Sequence, residues 1–175
     1  TEGVTAAASA EAAATGANVV ITMLPNGKIA QSVSDQVLPV MEKGTVLLDC
    51  STIDVATARK IDSRAEDHGI GFLDAPVSGG VGGAEAGTLT FMVGGSAESF
   101  AQATPLFDIM GRTAVHCGGA GNGQAAKICN NMILGITMIG TCEAFALADK
   151  LGLDRQAMFD VVSTSSGCSW TMNAY

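Results

Sequence analysis

TVLLDCSTID, residues 45–54, is a short apolar run followed at once by residues that cap helices. Its first half is rich in branched apolar residues, as expected for a strand that is covered on both faces. Ser51 and Asp54 carry side-chain oxygens that can accept hydrogen bonds from the first N–H groups of a helix. We therefore predict a buried strand over 45–50 and a polar helix over 55–68.

Similar strand and helix patterns alternate on both sides of this unit. Pro39 is expected to end or kink the helix that follows the first strand. The segment over 88–95 alternates polar and apolar residues, which favours an antiparallel addition at the edge of the sheet. The predicted strands are NVVITML (18–24), GFLDAPV (71–77), TLTFMVGG (88–95) and TAVHC (113–117), and the predicted helices cover 5–17, 28–41, 97–110 and 121–151, with a further helix over 154–162.

The strand–helix–strand rhythm with short connections predicts an α/β fold, in which a mostly parallel sheet has helices on both faces. After Gly121 the pattern becomes entirely helical, which indicates a second domain that opens with the long helix. We therefore predict a first domain over 1–118 and the start of an all-helical domain over 119–175.

The composition excludes several classes of protein. Hydrophobic residues make up 47% and charged residues 15% of the 175 residues, which is typical of a packed globular chain. The net charge of −8 argues against nucleic acids and anionic membranes as partners, because both select clustered Lys and Arg. Five scattered cysteines and two histidines favour a reducing compartment over a zinc site or a disulfide framework. The longest apolar stretch, around 132–142, is expected to be too short to span a bilayer.

Three strand exits carry residues suited to a ligand site. In an open parallel sheet, ligands bind beyond the carboxyl ends of the strands, and the segments 24–27, 50–52 and 75–80 occupy that edge. Each segment, taken alone, also fits an ordinary turn. Ser78, Gly79 and Gly80 are the most specific, since their backbone N–H groups can converge on a carboxylate or phosphate. The alternative for these residues is a flexible glycine-rich loop.

Lys127 stands in the first two turns of the predicted long helix. The residues after it are apolar nearly all round, so we expect the helix to be buried and its lysine to snorkel, pair or face a polar cleft. Gly121 and Gly123 allow close approach at the helix entrance, while Asn130 and Asn131 follow on the side of the lysine. We therefore favour a cleft, in which a partly desolvated lysine has a lowered pKa and can transfer a proton.

The glycine fingerprint of dinucleotide-binding folds, G-x-G-x-x-G after a first strand, does not occur in this sequence. The run over 119–123 follows a predicted strand and precedes a helix, so it fits part of that context. However, no further strand with a terminal acidic residue follows it. We therefore reject the run as the primary phosphate-binding loop.

Five stretches occur in an order that is typical of one known family. They are ITMLPNG, LLDCSTID, DAPVSGGVGGAEAGTLTFMVGG, GGAGNGQAAKICNNM and MIGTCEAFALADKLGLD. Over its whole length the chain resembles the β-hydroxyacid dehydrogenase family, and DAPVSGG and G-x-G-x-x-x-K-x-x-N-N are the most specific motifs. KICNNM and SSGCSW are similar to the branch that acts on 3-hydroxyisobutyrate. Asn130 stands where the phosphogluconate branch has His, which argues against a sugar-phosphate substrate.

The resemblance implies a Rossmann-type first domain and NAD-dependent oxidation of 3-hydroxyisobutyrate to methylmalonate semialdehyde in valine catabolism, with NADP left open as the cofactor. Lys127 would be the general acid and base of the hydride transfer. The implied substrate-binding residues are Ser78, Gly79, Gly80 and Asn131, with Asn130 as second choice, and the implied cofactor-binding residues are Met23, Leu24, Pro25 and Thr52.

The resemblance also implies a homo-oligomer, a dimer or tetramer, in the cytoplasm or, in a eukaryote, in the mitochondrial matrix. Its partner would be a small 3-hydroxy acid, without nucleic acid or membrane. Relative to the family, we expect the chain to lack the first strand, the glycine fingerprint and much of the helical domain. Three alternatives remain open: a tartronate or other short-chain semialdehyde reductase, a non-catalytic dinucleotide-binding assembly module, and an inactive fragment.

Overall fold

The computed structural model describes residues 3–174. The chain divides into two compact units, Thr1–Lys127 and Ile128–Tyr175. The first unit contains the sheet, and the second consists of helices. The outermost residues of the two predicted domains, 1, 2 and 175, lie outside the described residues.

The first unit is built on a six-stranded sheet in which β1, β2 and β3 are parallel neighbours. β5 follows β3 in antiparallel orientation, and it pairs with β4 on that side and with β6, in parallel, on the other. The predicted α/β fold with a mostly parallel sheet is therefore confirmed. The strands are β1 (Val19–Thr22), β2 (Val46–Asp49), β3 (Gly71–Asp74), β4 (Val77–Ser78), β5 (Leu89–Gly95) and β6 (Gly111–His116).

The helices begin at residues whose side chains cap the first turn. Asn26, Asp54, Ser96 and Asp154 each accept a hydrogen bond from the backbone N–H three residues later. The helices within the described residues are α1 (Ala10–Ala14), α2 (Gly27–Val37), α3 (Val55–His68), α4 (Gly80–Glu85), α5 (Ala97–Met110), α6 (Asn122–Leu151), α7 (Arg155–Ser163) and α8 (Trp170–Ala174). A short 3-10 helix, Leu38–Val40, contains Pro39 and ends the run that α2 begins.

The prediction of one continuous strand over 71–77 is wrong, because the strand is interrupted at Ala75–Pro76, between β3 and β4. Proline has no N–H to donate, although the Pro76 carbonyl still accepts a hydrogen bond from Met92 N at 3.0 Å. The strand over 88–95 is antiparallel, as predicted. It does not lie at the edge of the sheet, since β6 pairs along its other side.

Side chains on both faces of the sheet are buried under helices. Leu47 and Phe72 face one side and pack in a cluster with residues of α2 and α3. Val46, Leu48 and Phe91 belong to a second cluster, which α5 covers. Successive residues of β2 therefore enter different cores, because side chains alternate across a strand. This two-sided burial holds the carboxyl ends of β1, β2 and β3 at one edge.

In the second unit, large apolar residues of the long helix are exposed, so the expectation that this helix is buried is wrong. Ile133, Ile136 and Ile139 of α6 are 61%, 63% and 62% exposed. An apolar helix needs neighbours on all sides to be buried, and the described part of this unit supplies only the short helices α7 and α8. Residues of α6, α7 and α8 line an apolar cleft of about 240 Å³, which includes Phe145 and Phe159.

The apolar stretch of α6 was also expected to be too short to cross a membrane. By length and composition alone, Asn122–Leu151 is long and apolar enough to do so. The core helix of a soluble protein passes the same test.

Candidate functional site

The floor of the candidate site is a row of polar side chains at the carboxyl ends of the parallel strands. Thr22, Asp49 and Asp74 stand in register on β1, β2 and β3. Asp49 Oδ1 accepts hydrogen bonds from Thr22 Oγ1 at 2.8 Å and from Ser51 Oγ at 2.5 Å. Both aspartates are buried, so the ends of β2 and β3 carry two acidic groups that water does not reach.

The predicted cofactor residues come together at the ends of β1 and β2. The Leu24 N–H donates to Ser51 Oγ at 2.7 Å, which fastens the segment 23–25 beside Thr52. Met23, Pro25 and Thr52 are exposed there. The edge thus offers apolar surface and one hydroxyl to a ligand, while the Leu24 N–H is already used inside the protein.

Asp74 holds the start of α6. Its Oδ1 accepts the N–H of Gly121 at 2.7 Å, and its Oδ2 accepts the N–H of Gln124 at 2.8 Å. The first N–H groups of a helix have no acceptor within the helix, so this carboxylate supplies one from the neighbouring strand. Burial raises the pKa of Asp74, although the two N–H donors act in the opposite direction.

The glycines at the helix entrance serve this docking. A Cβ at Gly123 would overlap the carbonyl oxygens of Asp74 and Met92, and a Cβ at Gly94 would overlap the Asp74 carboxylate. At Gly121 φ is +84°, and a Cβ would come within 2.9 Å of Val55. The sequence predicts that Gly121 and Gly123 allow a close approach at the helix entrance. The structure shows that the close approach is to the protein itself: Gly123 lies against β3 and β5, and Gly121 lies against α3.

Gln124 is fully buried and bonds to the segment that carries Thr52. Its Oε1 accepts the Ile53 N–H at 3.0 Å, and its Nε2 donates to the Ser51 carbonyl at 2.8 Å. One amide side chain therefore holds the backbone on both sides of Thr52.

Lys127 reaches the start of the glycine-rich loop. Its Nζ donates to the Val77 carbonyl at 2.7 Å, and that carbonyl belongs to the peptide bond that leads into Ser78. No carboxylate within residues 3–174 forms an ion pair with this lysine. Desolvation lowers the pKa of Lys127 below its ordinary value, because a half-buried ammonium without a counter-ion is less favourable than a hydrated one.

The Ser78–Gly80 segment is an ordered turn rather than a loop without structure. Ser78 pairs with Thr90 of β5, and Gly79 and Gly80 have φ angles of +131° and +61° where α4 begins. A Cβ at Gly80 would meet no atom within 4 Å, so its surface is open. Among residues 3–174 no side chain caps the first turn of α4, which leaves those N–H groups available to a ligand.

Asn130 and Asn131 lie on α6 within the second unit, and both are exposed. The Nδ2 of Asn130 lies 3.4 Å from Oδ1 of Asn131. Asn131 follows Lys127 by four residues in the sequence of α6.

Family models cover almost the whole chain. Residues 1–119 match the NAD binding domain of 6-phosphogluconate dehydrogenase, and residues 121–175 match the model described as NAD-binding of NADP-dependent 3-hydroxyisobutyrate dehydrogenase. The chain belongs to the β-hydroxyacid dehydrogenase family. The resemblance inferred from the sequence motifs is therefore confirmed.

Individual relatives carry two different names. A 3-hydroxyisobutyrate dehydrogenase of Pseudomonas aeruginosa is 51% identical over 177 residues, which cover 99% of this chain and 59% of the relative. An NAD-dependent L-serine dehydrogenase of the same organism is 48% identical over 176 residues, which cover 99% of this chain and 59% of the relative. The chain thus spans less than two thirds of the length of these members of the family.

A solved structure agrees with the fold. The 3-hydroxyisobutyrate dehydrogenase of Mycobacterium tuberculosis, determined with L-serine, superimposes with a TM-score of 0.92 at 47% identity. The match covers 95% of this chain and 57% of that chain.

Sequence reasoning missed the polar residues that support the site. In the sequence Asp74 is only part of a predicted strand, because the residues that bond to its carboxylate lie 47 and 50 positions away. No local pattern marks Gln124 either, because its side-chain partners are 71 and 73 residues distant. One signal was available for Asp74, namely a charged residue at the end of a strand predicted to be buried.

Proposed function

We propose that the protein is an NAD-dependent dehydrogenase that oxidises 3-hydroxyisobutyrate to methylmalonate semialdehyde, a step of valine catabolism. The observation that carries the proposal is the 2.7 Å contact of Lys127 Nζ with the Val77 carbonyl, which puts a desolvated amine at the start of the Ser78–Gly80 turn. A carboxylate bound at that turn would hold its own hydroxyl group near the amine. Family membership supports the reaction class.

In this proposal Lys127 is the general base of the oxidation. Its neutral amine takes the proton from the substrate hydroxyl while the hydride leaves the carbon that bears this hydroxyl. In the reverse reaction the ammonium returns the proton. A lowered pKa favours this role, because a larger fraction of the amine is neutral near physiological pH. Ser78, Gly79 and Gly80 bind the carboxylate, and Asn131, with Asn130 as second choice, binds the substrate or orients the lysine.

NAD, when bound, supplies the acceptor for the hydride. The residues present fit the group: Met23, Pro25 and Thr52 offer exposed apolar surface beside a hydroxyl at the strand ends. We propose that these residues and Leu24 line the cofactor. The cofactor assignment is supported by the family models, and NADP is the alternative.

L-Serine is a second candidate substrate, because one relative is named a serine dehydrogenase and the solved relative was determined with L-serine. Serine and 3-hydroxyisobutyrate share a carboxylate and a hydroxyl on the third carbon, and they differ in an amino or methyl group on the second. The proposed roles of Lys127 and Ser78 are the same for both. The ratio of kcat/KM for the two acids distinguishes them.

The tartronate and other short-chain semialdehyde reductases remain alternatives within the family. A non-catalytic assembly module or an inactive fragment would not need a desolvated lysine beside the Ser78–Gly80 turn. We further propose a dinucleotide-binding domain over 1–118 followed by a helical domain from 119, a homo-oligomer, and a cytoplasmic or, in a eukaryote, mitochondrial location.

Substitution of the lysine tests the mechanism. In the intact protein, Lys127→Ala should lower kcat for 3-hydroxyisobutyrate oxidation by about 10²- to 10⁴-fold, since proton transfer by a positioned group contributes that much. NADH binding, followed by fluorescence, should persist. Lys60→Ala removes an exposed lysine from α3 and is the matched control. A Lys127→Ala variant with wild-type turnover would refute the role.

The pH profile gives an independent check. The rate of oxidation should rise with pH as the Lys127 ammonium loses its proton and should level off at a pKa below 10.5, the ordinary value. The rate of reduction should fall over the same range, because it requires the protonated form. Initial rates in both directions between pH 6 and about 10.5 measure this limb. An oxidation rate that is flat over the whole range contradicts the assignment.

A further inference from the structure

We propose that Gln124 is a positioning residue of the dehydrogenase reaction: it fixes the segment that carries Thr52 against the first turn of α6 and thereby sets the place of Lys127 relative to the cofactor edge. The inference rests on the proposed function, because it takes Lys127 as the proton-transfer group. Gln124 itself contacts neither substrate nor cofactor in this proposal.

The first observation is the burial and pairing of the Gln124 amide. The side chain is 0% exposed, and both of its polar ends bond to backbone groups, at 3.0 Å to Ile53 N and 2.8 Å to the Ser51 carbonyl. A buried amide without these partners would reduce the free energy of unfolding, so the two hydrogen bonds are needed to keep this side chain buried. One end must accept and the other must donate, and glutamine provides both at this length.

The second observation is that these partners flank a single exposed residue. Ser51 and Ile53 are buried, while Thr52 between them is exposed at the carboxyl end of β2. Ser51 also receives the Leu24 N–H on its side-chain oxygen. The Gln124 amide therefore holds the backbone from which both predicted cofactor-lining segments are positioned.

The third observation is the connection to Lys127. The Gln124 N–H donates to Asp74 Oδ2 at 2.8 Å, so the same residue is fixed to β3 through its backbone and to the end of β2 through its side chain. Lys127 follows one helical turn later on the same face, and its Nζ reaches Val77. A shift of Gln124 would therefore displace the lysine and the Thr52 segment relative to each other.

The inference is tested in the intact protein with two variants and a matched control. Gln124→Met keeps the length of the side chain but leaves the Ile53 N–H and the Ser51 carbonyl unpaired. Gln102→Met is the control, since Gln102 also donates to a distant backbone carbonyl, that of Gly44 at 3.1 Å, at an exposed position outside the site. Hydrogen exchange at the Ile53 amide, NADH affinity, and kcat and KM for the hydroxy acid are measured for each.

The expected result is a split between these parameters. Gln124→Met should lower kcat about 10- to 100-fold, because a displacement of about 1 Å has that effect on a reacting pair. It should also speed exchange at Ile53 and weaken NADH binding, while KM for the hydroxy acid stays near the wild-type value, because the Ser78–Gly80 turn is not touched. The pKa of the oxidation profile should not move. Gln102→Met should change none of these quantities.

Gln124→Glu gives a second, reversible test. While the introduced carboxyl is protonated, it offers the same acceptor and donor as the amide, and burial favours that form. Its kcat, relative to wild type, should therefore be high at acidic pH and fall as pH rises and the carboxyl ionises. A ratio that does not change with pH overturns the proposal, and this variant decides if Gln124→Met does not fold.

Two further outcomes distinguish a failure of the positioning role from a failure of the proposed function. A folded Gln124→Met variant with kcat within about twofold of wild type and unchanged Ile53 exchange overturns the positioning role. If the wild-type protein does not oxidise either hydroxy acid, the proposed function fails, and Ile53 exchange and NADH affinity still decide whether Gln124 holds the cofactor edge. Unchanged exchange and affinity in Gln124→Met then overturn the inference too.

Discussion

The two parts of α6 are held in different ways, although they form one helix. In the first turns, Gln124 is fully buried, and the backbone and side chains bond to three strand ends. Beyond Lys127, the large apolar residues Ile133, Ile136 and Ile139 are exposed. A few directional hydrogen bonds thus determine where the lysine lies. Apolar contacts have no preferred direction, so they do not fix the position of the apolar part of the helix in the same way. Substitutions in the two parts should therefore have opposite or unequal effects.

The largest expected difference is between two glycines of this helix. Gly123→Ala should destabilise the 175-residue chain by about 3 kcal/mol or more, because the new Cβ would overlap two strand carbonyls. Gly135→Ala is the control, since its Cβ would meet no atom within 4 Å, and it should stabilise the helix by about 0.5–1 kcal/mol. Urea unfolding followed by circular dichroism measures both. Equal effects would contradict the docking geometry.

A smaller difference is expected between a buried and an exposed apolar side chain. Leu48→Ala should cost about 2–5 kcal/mol, because Leu48 is fully buried in the core under α5. Ile136→Ala should change the stability of the 175-residue chain by no more than about 0.5 kcal/mol, because Ile136 is mostly exposed. Thermal unfolding of the two variants at the same concentration makes the comparison. A large loss for Ile136→Ala would mean that this face is covered in solution.

The smallest effect concerns Asp62 on α3. Desolvation, together with the nearby charges of Glu66 and Asp74, raises the pKa of Asp62 to about 6. As pH rises, the unfolded state therefore releases this proton near pH 4, whereas the native state holds it until about pH 6. Stability from this group is full below about pH 4 and is lost as pH rises through 6.

Asp62→Asn should remove that loss. We expect the variant to be more stable than wild type at pH 7 by at most about 1 kcal/mol, because solvent screens a partly exposed group. At pH 4 the two proteins should unfold alike. Chemical denaturation at both pH values measures the difference, and an equal difference at pH 4 and 7 would show that the charge is not its cause.

The regular elements were predictable where local signals mark both ends. The bounds of α3 and α5 agree with the prediction, because Asp54 and Ser96 cap their first turns and Gly69 ends α3 with a φ of +72°. The break at Pro76 and the short helix α4 were missed. There the glycine-rich sequence is compatible with several conformations, and the contact with β5 decides among them.

The candidate site was predictable in its chemistry but not in its supports. Lys127 and the Ser78–Gly80 segment stood out in the sequence, and the structure brings the lysine to Val77, next to that segment. The assignment of their roles remains a prediction. Asp74 and Gln124 could not be found in the same way, because hydrogen bonds between residues 47 to 73 positions apart leave no local pattern. The prediction that α6 is buried is wrong, because its large apolar residues after Lys127 are exposed. An apolar sequence indicates that a helix needs packing neighbours to be buried, but it does not show that those neighbours are present.

The Asp74 cap also determines what the glycine-rich run over 119–123 can accept. In a nucleotide phosphate loop, the N–H groups at the start of a helix point at an anionic ligand. Here the N–H groups of Gly121 and Gln124 already point at a carboxylate of the protein. A phosphate approaching this helix would meet a buried acidic side chain and no unoccupied donors at those two positions. The acidic residue at the end of β3 therefore acts as an internal substitute for the anion, and a scan for phosphate loops should exclude glycine runs that have such a neighbour.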